Sequence, residues 1–155
     1  VITAVDTNIL LDVLIPDEPH AEESEESIKM ALRMGSVVIA DPVYAELASR
    51  FPSSRELNRL LDQAGISRDP LNETSLHRAG VAFRQYASGR PRGLTCQDCG
   101  LVQEVACTRC ASMLRARQRL LSDFLVGAHA TVQAEKLLTR DRGYFATYFP
   151  DLTLG

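Results

Sequence analysis

The chain is 155 residues long, 45% hydrophobic and 24% charged, which fits one soluble globular domain burying about two-thirds of its unfolded surface. Its net charge of −3 excludes indiscriminate polyanion binding by the chain as a whole. No apolar run approaches the roughly 20 residues needed to cross a bilayer, and no basic-then-apolar leader is present, so the expected compartment is the cytoplasm.

Val1 to Val5 is apolar nearly throughout rather than alternating, which predicts a strand buried on both faces, and it ends on Asp6. Asn8 to Leu14 reads as a short helix ended by Ile15-Pro16. His20 to Met34 reads as a longer one, with Ile28, Met30, Ala31 and Leu32 as its core stripe behind a charged face. Val37 to Ala40 is a second buried strand. Asp41-Pro42 then opens a helix carrying Tyr44, Glu46 and Leu47, with Asp41 as the expected N-cap. A helix over Ser54 to Gln63 follows, stopped by Gly65, then a weak strand at Ile66-Ser67. Thr74 to Ala87 is a further helix, expected to be capped by Thr74 or Ser75. Late in the chain, Ser122-Asp123 opens a helix, Leu137 to Thr139 is a brief strand, and Asp141 breaks it. Strands alternating with helices predict an α/β/α sandwich around a central parallel sheet, a single domain over residues 1–155.

Residues 89–118 interrupt this pattern with glycine, proline and all four cysteines, and read as a small inserted module. Cys96, Cys99, Cys107 and Cys110 are spaced CxxC-x7-CxxC, two tight turns able to supply four thiolates to one tetrahedral structural Zn²⁺. Gly100 permits the turn backbone of the first pair. Disulfides, disfavoured in a reducing compartment, and an iron–sulfur cluster are the alternatives. A site closed by four thiolates has no open position for catalysis. Eight arginines lie between Arg78 and Arg119 against only Asp98 and Glu104. Among them Arg90, Arg92, Arg115, Arg117 and Arg119 flank the cysteines and are candidates for tracking RNA phosphates, the alternative being an ordinary solvated face.

Asp6 and Asp141 each follow a strand, Glu46 lies in the helix after the second strand, and Asp123 opens a helix. Each has a local explanation as a cap, a turn residue, a surface acid or a partner of the helix dipole. Together, in this topology, they can converge at the carboxyl end of the sheet, where open α/β folds place their ligands. Four carboxylates in one cleft repel one another unless cations neutralise them. Hard oxygen donors suit Mg²⁺ or Mn²⁺, and a pair of such ions could clamp both oxygens of a phosphodiester displacement. His20, His77 and His129 are not placed to be general bases; the last two read as structural histidines inside helices.

Val5-Asp6-Thr7-Asn8 with Leu10-Leu11, Pro42-Val43-Tyr44-Ala45-Glu46-Leu47, Ser122-Asp123-Phe124 with Ala128 and Ala130, and Leu138-Thr139-Arg140-Asp141 together resemble a PIN domain, and most nearly the VapC-type toxins of prokaryotic toxin–antitoxin pairs. The resemblance covers the chain apart from the cysteine insert. It implies a Mg²⁺- or Mn²⁺-dependent endoribonuclease with Asp6, Glu46, Asp123 and Asp141 as catalytic metal ligands and Asn8 and Thr139 as polar support. It also implies an RNA substrate, a homodimer and an antitoxin partner. Two features depart from the pattern: Arg142-Gly143 stands where many relatives carry a further acid, and the cysteine insert is unusual for a small toxin. The insert is similar to the zinc ribbon that ribosome-maturation PIN nucleases carry, which makes an RNA-processing nuclease the alternative. A non-catalytic scaffold binding RNA or protein is a third reading, opposed by the presence of all four acids. A phosphatase of the haloacid dehalogenase type also begins with an acid after its first strand, but it requires a second aspartate where Asn8 stands.

Overall fold

A computed structural model of the chain describes residues 1–15, 19–89, 93–95, 101–114 and 121–155. The first buried run forms β1 (Ile2–Val5) and leads through α1 (Thr7–Leu14) and α2 (Ala21–Met34) to β2 (Ser36–Ile39). Next come α3 (Asp41–Ala48), α4 (Ser54–Ala64), β3 (Ile66–Arg68) and α5 (Glu73–Ser88). The insert contributes two antiparallel pairs, β4 (Leu94–Thr95) with β5 (Val102–Gln103) and β6 (Val105–Ala106) with β7 (Met113–Leu114). The chain ends with α6 (Leu121–Gln133), β8 (Lys136–Leu138), α7 (Arg142–Tyr148) and β9 (Thr153–Leu154).

The main sheet has the order β3-β2-β1-β8-β9, and every pairing in it is parallel. The expected α/β fold with a central parallel sheet is therefore present. From β1 the chain moves outward to β2 and β3, then returns to lay β8 on the other side of β1. That reversal makes the carboxyl ends of β1 and β8 a topological switch point, where a crevice opens between crossovers that leave in opposite directions. Right-handed crossovers put α1 to α4 over one face and α5, α6 and α7 over the other. In the packing α1 lies on α2 and α3, and α5 on α6, while α3 also touches α6.

Burial explains the strand sequences. Ala4, Val5, Val37, Val38, Ile39, Leu137 and Leu138 are all buried, which only a sheet covered on both faces allows. In α2 the inward face is Ser24, Ile28 and Ala31; Met30, expected in the core, is 53% exposed. It lies some 200° around the helix from Ile28, on the outward side. Gly65 takes a left-handed φ of 69° at the end of α4, as its position as a stop predicted. Gly127 allows α6 to meet the segment after α7: a Cβ there would lie 2.3 Å from the Phe149 ring.

Three local expectations were displaced. The N-cap of α3 is Ala40, and Asp41 is its first helical residue. The Asp41 carboxylate accepts instead from Arg68 Nε at 2.7 Å and Leu71 N at 3.1 Å. The cap of α5 is Asn72, whose Oδ1 accepts from Ser75 N at 2.9 Å. Thr139 lies just past the end of β8, and the Asp141 break turns out to lead into α7, with β9 beyond it.

Candidate active site

The register of the sheet sets the site. Val5 pairs with Leu138, so Asp6 and Thr139, each one residue further on, emerge side by side. Asp6 does cap α1: its Oδ1 accepts from Thr7 N at 2.7 Å. Its Oδ2 accepts from Thr139 Oγ1 at 2.7 Å and Asn8 Nδ2 at 2.8 Å. The Thr139 hydroxyl, 1% exposed, also accepts from Asp141 N at 3.1 Å and, at 3.4 Å, from Asn8 Nδ2. Its one donor and two acceptor positions are thus all in use. Thr7 Oγ1 in turn donates to Glu46 Oε2, tying α3 to α1.

Asp123 reaches the same place through packing. Phe124, fully buried beside it, has Phe83, Tyr86 and Tyr144 rings at centroid distances of 5.4 Å and Tyr148 at 5.5 Å. Edge-on contacts among these rings fix the rotation of α6 about its axis, and with Phe124 turned inward the preceding Asp123 faces the crevice. The result is a cleft of about 270 Å³ lined by Asp6, Thr7, Asn8, Leu11, Glu46, Asp123, Asp141, Tyr144 and Phe145. All four expected acids and Asn8 line it, and Thr139 stands behind Asp6. Leu11, Tyr144 and Phe145 were not anticipated there; nor was Thr7's link to Glu46, although it is the hydroxyl next to the cap.

Among the described residues, no arginine, lysine or histidine lines the cleft. The Asp6 carboxyl is held above its ordinary range chiefly by burial, against which the Thr139 and Thr7 hydrogen bonds pull down; the Glu46 and Asp123 charges raise it further. The donors are oxygens throughout, which fits a hard divalent cation. As they stand, no three His, Cys, Asp or Glu side chains among the described residues are grouped tightly enough to hold one ion. An ion would therefore have to draw the carboxylates inward, its positive charge offsetting the repulsion that their closer approach creates.

The remaining expectations fall elsewhere. His129 is fully buried and structural, its Nε2 2.9 Å from Asp69 Oδ2. His77 and His20 are exposed, the latter 3.9 Å from Glu23. Of the insert's cysteines, Cys107 and Cys110 are free. They bracket a turn closed by Cys107 N to Ser112 O and Ala111 N to Cys107 O, both 2.8 Å, with Ala111 at φ 57°. The Ser112 hydroxyl and amide and the Cys107 side chain lower the Cys110 thiol below its ordinary range. Cys96 and Cys99 lie outside the described residues, as do Arg90, Arg92, Arg115, Arg117 and Arg119. Among the described residues no helix is long and apolar enough to cross a membrane.

A parallel sheet covered by helices, with an acid-lined cleft at its switch point, defines the class of open α/β proteins that place their sites at the carboxyl ends of the strands. Within that class the chain belongs to the PIN domain family, whose sequence profile matches residues 3–150. Solved structures share the fold at low identity. VapBC2 from Rickettsia felis, bound to a DNA fragment from its promoter, aligns with a TM-score of 0.62 at 16% identity, covering 100% of this chain and 98% of that one. VapBC-1 from nontypeable Haemophilus influenzae aligns at 0.61 and 19%, covering 100% and 97%. FitAcB from Neisseria gonorrhoeae aligns at 0.54 and 18%, covering 98% and 95%. A comparison with curated proteins found no match.

Proposed function

We propose that this chain is a Mg²⁺- or Mn²⁺-dependent endoribonuclease and the toxin of a toxin–antitoxin pair. The observation that carries the reading is the meeting of Asp6, Glu46, Asp123 and Asp141, from four separate segments, in one cleft. When bound, the ion supplies charge neutralisation and Lewis acidity toward a phosphodiester. The chain's own groups orient its ligands. Thr139 and Asn8 aim Asp6, Thr7 aims Glu46, and the Phe124 ring cluster holds the start of α6 so that Asp123 faces the cleft. Tyr144 and Phe145 form an apolar wall that limits water on one side.

The toxin assignment rests on the VapC-type motifs and on fold neighbours solved as VapBC and FitAcB. The same motifs support a homodimer and an antitoxin partner. The insert favours a second reading, an RNA-processing nuclease. Cys96, Cys99, Cys107 and Cys110 would hold structural Zn²⁺ there. The turn from Cys107 to Ala111 supports this, because its left-handed Ala111 occupies the place that Gly100 takes after the first pair.

The test is cleavage of single-stranded RNA by the purified chain with Mn²⁺. Asp123→Asn keeps the side chain's shape but removes a ligand charge, so cleavage should fall by orders of magnitude. Metal-free thermal stability should stay at or above wild type, since a charge bearing on Asp6 is removed. If the variant instead unfolds readily yet keeps full activity per folded molecule, Asp123 is a structural residue and the reading fails.

A further inference from the structure

We infer that the pairing of buried Asp12 with the half-exposed Arg140 side chain is a positioning device that holds the Thr139–Asp141 turn, and through Asn8 the Asp6 carboxylate, in register for the metal. The inference rests on the proposal that the cleft binds a divalent cation.

Asp12 is only 1% exposed, and it stands four residues after Asn8 on α1, one turn along the same face. Arg140 runs along that face. Its Nη2 lies 2.7 Å from Asp12 Oδ1 and 3.5 Å from Asn8 O. The approach to Oδ1 is off the hydrogen-bond direction, so the contact is mainly charge against charge. Ser24 Oγ, from α2, donates to Asp12 Oδ2 at 2.6 Å. The Arg140 main chain is held as well, its N donating to Asn8 Oδ1 at 3.4 Å.

A carboxylate this deeply buried must be paired. Stability alone does not require an ion pair, because a pair with one partner open to water contributes little and even a fully buried pair can often be replaced by apolar side chains without loss. A charge pair adds a direction that apolar packing lacks. Here it fixes one residue whose two neighbours, Thr139 and Asp141, both serve the cleft. Arg140 also orients the Asn8 amide, whose nitrogen donates to Asp6 Oδ2. Asp12 and Arg140 touch no reacting atom; they act through Asn8, Thr139 and Asp141.

The experiment measures Mn²⁺ binding to the full chain without RNA, by the electron paramagnetic resonance signal of free Mn²⁺, together with urea unfolding and amide exchange at residues 139–141. The variants are Asp6→Asn, Arg140→Lys and the double variant Asp12→Leu/Arg140→Met. The double variant should unfold near the wild-type urea midpoint but need about tenfold more Mn²⁺ for half-saturation, the size of effect typical for lost outer-shell partners. The backbone amides at position 140 and at Asp141 should exchange faster in it. Arg140→Lys should fall between. A folded double variant with wild-type half-saturation and exchange overturns the inference while leaving the metal site standing. Should the double variant fail to fold, an unshifted half-saturation in Arg140→Lys overturns it instead. A wild-type chain that binds no Mn²⁺, or an Asp6→Asn variant that binds as tightly as wild type, overturns the proposed site and this inference with it.

Discussion

Replacing Thr139 by valine keeps the shape of a side chain that is 1% exposed and removes one hydroxyl on which three cleft groups depend. The donated bond to Asp6 Oδ2 at 2.7 Å is to a carboxylate, a class of bond that contributes about 1.5–3 kcal/mol. The bond from Asp141 N at 3.1 Å is neutral and adds about 0.5–1.5 kcal/mol. The 3.4 Å approach of Asn8 is too long to count for much. Water in the cleft can take over part of these roles, so the expected loss is about 2–3 kcal/mol at pH 7 without metal. Urea unfolding in EDTA should show it as a lower midpoint at unchanged slope. The pH dependence follows from Asp6, whose folded-state carboxyl lies above its unfolded value. Its charge costs stability above the folded pKa, and that cost disappears as pH falls through the folded value toward the unfolded one. Thr139 is the largest influence holding that value down, so the valine variant pushes it higher. The gap between variant and wild type should therefore be widest at neutral pH and narrow as Asp6 protonates. The half-saturating Mn²⁺ concentration should rise by about tenfold, and Thr139→Ser should restore both properties. A valine variant with wild-type stability and Mn²⁺ dependence would refute the argument that this hydroxyl organises the cleft.

Protein purified without added metal should contain about one zinc per chain by elemental analysis, and Cys107→Ser should remove most of it; metal-free protein with intact disulfides would rule out the thiolate site. Replacing Arg115, Arg117 and Arg119 by alanine should weaken RNA binding and flatten its dependence on salt while cleavage at saturating RNA persists. An unchanged salt slope would make these arginines an ordinary solvated face.

Much of this fold was legible locally. Val1 to Val5, Val37 to Ala40 and Leu137 to Thr139 are apolar without alternation, and only a covered parallel sheet accepts such runs. Gly65 and Ser54 to Gln63 announced a helix and its end, and Asp6 announced a cap. What failed locally was short or shared. Helix α7 has seven residues, includes Gly143, and its N-cap Asp141 makes no side-chain cap bond, so no start signal marks it. Its stability comes from burying Tyr144, which packs on the Phe124 ring of α6, and Phe145, which packs on the Phe149 ring at the helix end. The Asp41 carboxylate, legible as a cap, was drawn away by Arg68 and Leu71, partners about 30 residues distant.

The site divides in the same way. The sequence by itself determined which acids end or open elements, because strand ends and helix starts are written in a few neighbouring residues. It also determined the cysteine spacing and the arginine excess around it. Only the tertiary structure decided that Asp6 and Asp141 share one hydroxyl, that Thr7 reaches Glu46, and that Asp12 and Arg140 meet. The Thr7–Glu46 and Asp6–Thr139 bonds join residues 39 and 133 positions apart. They depend on the β1–β8 register and on the rotation of α6 set by Phe124, which are properties of packing between elements and have no local signature.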